Sequence, residues 1–113
     1  MHELSIVQNI LEIADQELKK AKAKKVDQID LDIGILSGIE MDAFLFAWDA
    51  CLSNTILANT KRNINRISAK AKCSTCSHVF ETEDYFAQCS ECGEYLTTLI
   101  QGKELKVRSL VVL

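Results

Sequence analysis

The sequence predicts an α+β fold, and three patterns lead to that prediction. Apolar residues recur every three or four positions in two stretches, they alternate with polar residues in three others, and four cysteines form two Cys-x-x-Cys pairs. We therefore expect a small three-stranded sheet with two helices on one face, plus an inserted zinc-ribbon-like hairpin module that carries the cysteines. The expected division is one domain of residues 1–70 and 102–113 and a second domain of residues 71–101.

Two helices are predicted from the spacing of apolar side chains. Residues 4–22 place them on one face, and lysines follow at the C-terminal end, where they suit the helix dipole. Residues 41–53 repeat that spacing. Before them, Ser37 and Glu40 match a capping box, which predicts that the Ser37 hydroxyl caps the second helix.

Three strands are predicted for the sheet. Residues 29–35 alternate isoleucine or leucine with aspartate or glycine, which is the pattern of a half-buried strand. A weaker alternation covers residues 62–72, and residues 104–113 form a closing strand after a turn at Gly102. Between the cysteine pairs, Val79-Phe80 and Tyr85-Phe86 predict a short hairpin. The cysteine-bearing segment is thus an excursion before the last strand.

Composition and charge exclude several classes of partner. The chain has 13 Lys and Arg against 16 Asp and Glu, a net charge of −3, and four thiolates around zinc(II) would add about two more negative charges. Nucleic acid and anionic membranes are therefore not expected as partners. No apolar run approaches the roughly 20 residues that cross a bilayer, and the start lacks signal-peptide features. We expect a cytoplasmic protein.

The cysteines Cys73, Cys76, Cys89 and Cys92 give the strongest chemical signal in the chain. In a reducing compartment such pairs bind metal more often than they form disulfides. Four thiolates complete a tetrahedral zinc(II) and leave no position for water, which favours a structural site over a catalytic one. Rubredoxin-type iron is a less favoured alternative. A nucleic-acid-binding ribbon is disfavoured because no Lys or Arg lies between the pairs.

Both histidines lie where they bear on metal binding. His78 follows Cys76 by two residues, and the ordinary interpretation is a surface side chain, with a second-shell donor as the alternative. His2 follows the terminal residue, so the α-amine, backbone amides and imidazole crowd together. Such nitrogen donors suit square-planar nickel(II) or copper(II). On spacing alone, a histidine without a metal role is favoured.

Taken together, these segments resemble one family. The chain opens with Met1-His2-Glu3-Leu4-Ser5, the first strand ends in the sequence running from Ile33 to Glu40, the two cysteine pairs follow, and Gly102 to Val107 enters the last strand. In that order they closely resemble the HypA/HybF family of hydrogenase maturation nickel metallochaperones. The likeness covers essentially the whole chain.

The resemblance implies a function, its metals and its partners. Nickel(II) would be held at the N-terminus by His2, with backbone nitrogens of Met1 to Glu3, and zinc(II) would be structural at the four cysteines. The Glu3 carboxylate is expected to orient the nickel complex or dock a partner. A nickel-handling maturation GTPase would pass the metal, and the recipient would be the large-subunit precursor of nickel–iron hydrogenase. In some members urease maturation is also served.

Two departures and two rival functions accompany the resemblance. Some members place a histidine after each cysteine pair, whereas here only His78 is present and Gly93 follows Cys92. The apolar end, Val111-Val112-Leu113, is expected to be buried or paired, with a homodimer as an open alternative.

An enzyme is disfavoured because no nucleophile–base set or open metal site is present. A zinc-ribbon adaptor without a nickel role is the alternative function.

Overall fold

The computed structural model describes residues 3–113, so the predictions for Met1 and His2 lie outside the described residues. The described part of the chain forms two helices and six strands. These elements are α1 (Glu3–Lys20), β1 (Val26–Gly34), α2 (Met41–Leu52), β2 (Lys61–Ile67), β3 (Ala69–Cys73), β4 (Val79–Thr82), β5 (Thr97–Gln101) and β6 (Leu105–Val112). The predicted α+β class is confirmed.

The two helices pack on each other through apolar stripes. In α1 the buried residues recur at the predicted spacing, and Lys19 and Lys20 lie in the last turn. The predicted cap of α2 is wrong in one respect: Glu40, not Ser37, is its N-cap. The Glu40 carboxylate accepts hydrogen bonds from the backbone N–H groups of Asp42 (3.2 Å) and Ala43 (2.7 Å). A carboxylate at this position satisfies amides of the first turn and interacts favourably with the helix dipole.

The first sheet has the strand order β2-β1-β6, so the predicted first strand is its centre and the last strand is an edge. Ile29, Leu31 and Ile33 of β1 are buried, as the alternation predicted. Asp32 between them is also buried, and the Asn65 amide donates to its Oδ1 at 3.1 Å. A hydrogen bond to a buried carboxylate offsets part of the cost of removing it from water.

The second sheet has the order β4-β3-β5 and was not foreseen as a sheet. The strand predicted over residues 62–72 is wrong as a single element, because it divides after Ile67 into β2 and β3, which belong to different sheets. β3 is antiparallel to β4, with Ala71 opposite Phe80, and antiparallel to β5, with Cys73 opposite Thr97. The predicted hairpin is also wrong, since the partner of β4 is β3 and not the segment at Tyr85.

The chain divides into two compact units. The first contains residues 3–31, 39–64 and 107–113, and the second contains residues 32–38 and 65–106. All four cysteines of the two pairs lie in the second unit. Within that unit, Gly34 and Gly102 approach so closely that a Cβ on Gly34 would lie 2.0 Å from the Gly102 carbonyl oxygen. Within the described residues, neither helix is long and apolar enough to cross a membrane.

Candidate metal centre

The four predicted cysteines converge on one point of the second unit. Their sulfur atoms all lie within 4.8 Å of one another. The Sγ atoms of Cys73 and Cys92 are 3.6 Å apart, as are those of Cys76 and Cys89. Four sulfurs at about 2.3 Å from a tetrahedral zinc lie about 3.8 Å from each other. The cluster therefore has the size and ligand set of a tetrathiolate zinc site, and its separations are too long for disulfides.

Each cysteine pair is held by the same backbone arrangement. In the first pair, the N–H of Ser77 donates to the carbonyl of Cys73 at 3.0 Å, and the Cys73 N–H donates to the His78 carbonyl at 2.9 Å. In the second pair, the N–H of Gly93 donates to the carbonyl of Cys89 at 2.9 Å, and the Cys89 N–H donates to the backbone carbonyl of Glu94 at 2.8 Å. The two turns are thus equivalent, and each directs two sulfurs to the same side.

The residue after each pair has a left-handed backbone. Ser77 has φ 63° and Gly93 has φ 77°. Glycine adopts this conformation freely, whereas a residue with a Cβ pays about 1–2 kcal/mol. The second turn is therefore unstrained, and the first stores a small cost at Ser77. Gly93 is a sequence signal for this conformation, whereas nothing in the sequence marks Ser77.

Cys73 is the sulfur best prepared for ionisation. The backbone N–H groups of Cys76 (3.5 Å) and Thr75 (3.4 Å) point at its Sγ. These donors, that of Cys76 first, lower the pKa of the Cys73 thiol to about 6. A hydrogen bond to the charged form favours that form. Cys73 therefore loses its proton more readily than an ordinary cysteine.

The two exposed thiols behave in the opposite way. The N–H of Glu94 works to lower the pKa of Cys92, but the neighbouring thiols, with Cys73 first among them, raise it to about 12. The N–H of His78 acts to lower the pKa of the Cys76 thiol, but partial desolvation and the neighbouring sulfurs of Cys89 and Cys73 outweigh it, so this pKa is also raised. Without a bound cation, four sulfurs this close together cannot all carry a negative charge, because the like charges repel one another. A divalent cation held by the four sulfurs would take the place of the protons and allow all four thiols to be ionised.

His78 lies beside the cluster and outside the group of four ligands. Its Nε2 is 4.0 Å from Oε1 of Glu91, which lies in the second cysteine pair. Its ring stacks on Phe80 of β4, with 5.9 Å between the centroids. The side chain therefore connects the two turns through an ion pair when it is protonated. Its role as a second-shell donor stays a prediction.

Glu3 has a partner that the sequence did not indicate. Its Oε2 accepts a hydrogen bond from the backbone N–H of Glu40 at 3.3 Å. The first turn of α1 is thereby joined to the N-cap of α2. The other predicted nickel donors, Met1 and His2, lie outside the described residues, so the nickel site as a whole stays a prediction.

Comparison with known proteins gives consistent matches along the chain. Residues 1–112 match the family model described as "Hydrogenase/urease nickel incorporation, metallochaperone, hypA". A protein of Parabacteroides distasonis named hydrogenase maturation factor HypA is 35% identical over 112 residues, which are 99% of this chain and 97% of that protein. A protein of the same name from Geobacter sulfurreducens is 36% identical, with 99% of each chain covered.

The solved structures agree with the sequence relatives. A solution structure described as the Ni metallochaperone HypA from Helicobacter pylori superposes with a TM-score of 0.71 at 25% identity. It covers 100% of this chain and 98% of the other. A second solution structure, described as HypA protein, superposes with a TM-score of 0.74 at 25% identity. The likeness extends over both units of the chain.

Proposed function

Because the chain belongs to the HypA family of hydrogenase and urease nickel-incorporation metallochaperones, we propose that it binds nickel(II) at its N-terminus and delivers it to the large-subunit precursor of nickel–iron hydrogenase. The observation that carries this proposal is the family match over residues 1–112, which includes the N-terminal residues. A family of metallochaperones carries metal to other proteins, so the nickel ion is a cargo and not a resident cofactor.

The proposed nickel ligands are the His2 imidazole and backbone nitrogens of Met1 to Glu3. Imidazole and deprotonated amides are nitrogen donors that suit square-planar nickel(II). Delivery requires a site that binds firmly and still releases, and donors at a chain terminus can be replaced one at a time. The Glu3 carboxylate has a supporting role, since its contact with the Glu40 N–H fixes the start of α1 next to α2.

The proposed zinc ligands are Cys73, Cys76, Cys89 and Cys92. The support is their chemistry and geometry: four sulfurs within 4.8 Å of one another, which fits tetrahedral zinc(II). When bound, zinc would supply structural cross-linking rather than chemistry, because four thiolates leave no open coordination position. The chain's own contribution is to hold the two turns, through matching backbone hydrogen bonds, so that the sulfurs converge.

The partners of this proposal follow from nickel delivery in the family. We propose a nickel-handling maturation GTPase as the donor and the hydrogenase large-subunit precursor as the recipient, with urease maturation proteins as a further recipient.

The proposed location is the cytoplasm. The proposed nickel domain comprises residues 1–70 and 102–113, and the proposed zinc domain comprises residues 71–101. A homodimer is supported by the exposed side chains of Val111 and Leu113 at an edge of the first sheet.

The test is metal analysis of the purified chain with a free N-terminus after dialysis against nickel. The proposal predicts one zinc and one nickel per chain. The matched control is the same chain with a short extension before Met1, which removes the free α-amine from the site and should weaken nickel binding while zinc stays at one per chain. One zinc and no nickel in the unextended chain would favour a zinc-ribbon adaptor instead.

A further inference from the structure

The second unit exposes large apolar side chains beside its cysteine turns. Phe86 is 92% exposed, and Tyr95 and Leu96 are 67% and 64% exposed. A phenylalanine ring left in water forgoes about 2 kcal/mol that its burial would contribute. When exposed apolar side chains of this kind form a group, the group commonly marks an interaction site.

Two hydrogen bonds bring together the segments that carry these side chains. The Thr97 hydroxyl donates to the carbonyl of Ala87 at 2.6 Å, so the residues adjacent to that contact, Phe86 and Leu96, belong to neighbouring segments. The Leu96 carbonyl accepts from the Ser74 N–H at 2.8 Å, which ties the same segment to the first cysteine turn. The segment that carries Leu96 is therefore bonded both to the first cysteine turn and to the residue after Phe86.

The charge around this group is predominantly negative, although Lys103 contributes a cation whose Nζ lies 5.6 Å from the centroid of the Tyr85 ring. From Cys73 to Gly102 the chain has no Lys or Arg and carries five carboxylates. Four thiolates with one zinc(II) add about two further negative charges. Glu83 and Asp84 precede Tyr85 and Phe86, and Glu94 precedes Tyr95. We call Phe86, Tyr95 and Leu96, together with Glu83, Asp84 and Glu94, the aromatic–acidic surface.

We infer that the aromatic–acidic surface docks a protein partner whose contact face is basic and contains an apolar pocket for Phe86. The inference rests on the proposed function, which requires protein partners. Charge complementarity selects the occupant: the surface repels nucleic acid and anionic lipid and attracts a basic face. An exposed aromatic ring with acidic residues close to it in the sequence fits an interface anchor with a polar rim.

The geometry also assigns the zinc site a role in this contact. Cys89 and Cys92 follow Phe86 by three and six residues, and Cys89 is buried while Phe86 is exposed. Zinc binding at the thiols would fix the loop that presents the ring, so less conformational entropy is lost when the partner binds. Loss of zinc is therefore expected to weaken docking without any change in the contacting side chains.

The experiment measures binding of the zinc-loaded full chain to two purified probes, the maturation GTPase and the hydrogenase large-subunit precursor of the same organism. Biolayer interferometry is run at low and high salt with Phe86→Ala and with the double variant Glu83→Lys, Asp84→Lys. The matched control is Phe46→Ala, because Phe46 is 76% exposed but lies on α2 in the first unit. Zinc content of each variant is checked first.

The inference predicts that Phe86→Ala weakens binding to at least one probe by about tenfold or more. The charge-reversal variant should also bind that probe more weakly, wild-type affinity should fall with salt, and Phe46→Ala should bind like wild type. If Phe86→Ala binds both probes with the affinity of the wild-type chain, the inference is overturned. Binding to phosphatidylserine vesicles that depends on Phe86, or self-association that depends on Phe86, would also overturn it. Nickel stoichiometry, measured separately, tests the proposed function, so the two failures are distinguishable.

Discussion

The carboxylate of Glu3 accepts a hydrogen bond from the backbone N–H of Glu40, with 3.3 Å between Oε2 and the nitrogen. Glu40 in turn caps α2 with its own carboxylate. Two glutamates thus connect the first turns of both helices, and each lies where a negative charge interacts favourably with a helix dipole. The residue that follows the proposed nickel ligand His2 in the chain is therefore anchored to the second helix.

Replacing Glu3 tests this anchor. Glu3→Ala removes the acceptor and should lower the free energy of unfolding by about 1 kcal/mol. Glu3→Gln keeps a carbonyl acceptor and should lose less. Urea denaturation of the zinc-loaded proteins gives both values. Equal losses in the two variants would show that the charge matters and the contact with Glu40 does not.

Ser77 offers a stabilising substitution. Because its φ is 63°, Ser77→Gly should relieve backbone strain and raise the free energy of unfolding by about 0.5–1 kcal/mol, net of the extra freedom of glycine in the unfolded chain. The control is Ser74→Gly, at a position in the same turn without a positive φ, which should not be stabilising. Thermal unfolding of the zinc-loaded chains measures the difference. A destabilised Ser77→Gly would contradict the equivalence of the two turns.

Cysteine substitutions separate the metal ligands from the remaining thiol. Cys92→Ser should lose stoichiometric zinc, and the second unit should lose its ordered structure because its second sheet has few large buried side chains. Cys51→Ser should keep one zinc per chain, since Cys51 lies on α2 outside the sulfur cluster. Elemental analysis and amide spectra of both variants provide the measurement. Zinc retained at full occupancy in Cys92→Ser would rule out the four-thiolate site.

Zinc affinity should depend steeply on pH. The pKa values of Cys76 and Cys92 are raised, so both thiols are protonated near neutral pH and must lose a proton when zinc binds. Affinity therefore rises with pH, by about a hundredfold or more per pH unit for at least two protons released. Cys73, with its pKa lowered to about 6, adds to this slope only below that pH. Competition with a chromophoric chelator between pH 6.5 and 7.5 measures the slope, and a slope of one proton or fewer would contradict the cluster's titration.

The sequence predicted the elements whose apolar pattern is long and regular. The helix α1 and the strand β1 carry large side chains at clear periods. That the first, second and last alternating segments share one sheet was also predictable, whereas its strand order, β2-β1-β6, came from the structure. The cysteine cluster was predictable because thiol pairs at this spacing have few other uses. These features need only local patterns and one strong chemical signal.

The second sheet could not be predicted in the same way. Its central strand β3 buries Ala69 and Ala71, whose small side chains give little hydrophobic signal next to Lys70 and Lys72. The break after Ile67 was missed because alternation continues across it. Contacts between distant residues were also beyond local patterns, such as the Glu3–Glu40 hydrogen bond and the approach of Gly34 to Gly102.

The most direct test of the nickel proposal is calorimetric titration of nickel(II) into His2→Ala, compared with the wild-type chain, both with a free N-terminus and one zinc bound. The proposal predicts that the wild-type chain binds one nickel and that His2→Ala loses stoichiometric binding, while zinc content and helical structure are unchanged. Undiminished nickel affinity in His2→Ala would contradict the account.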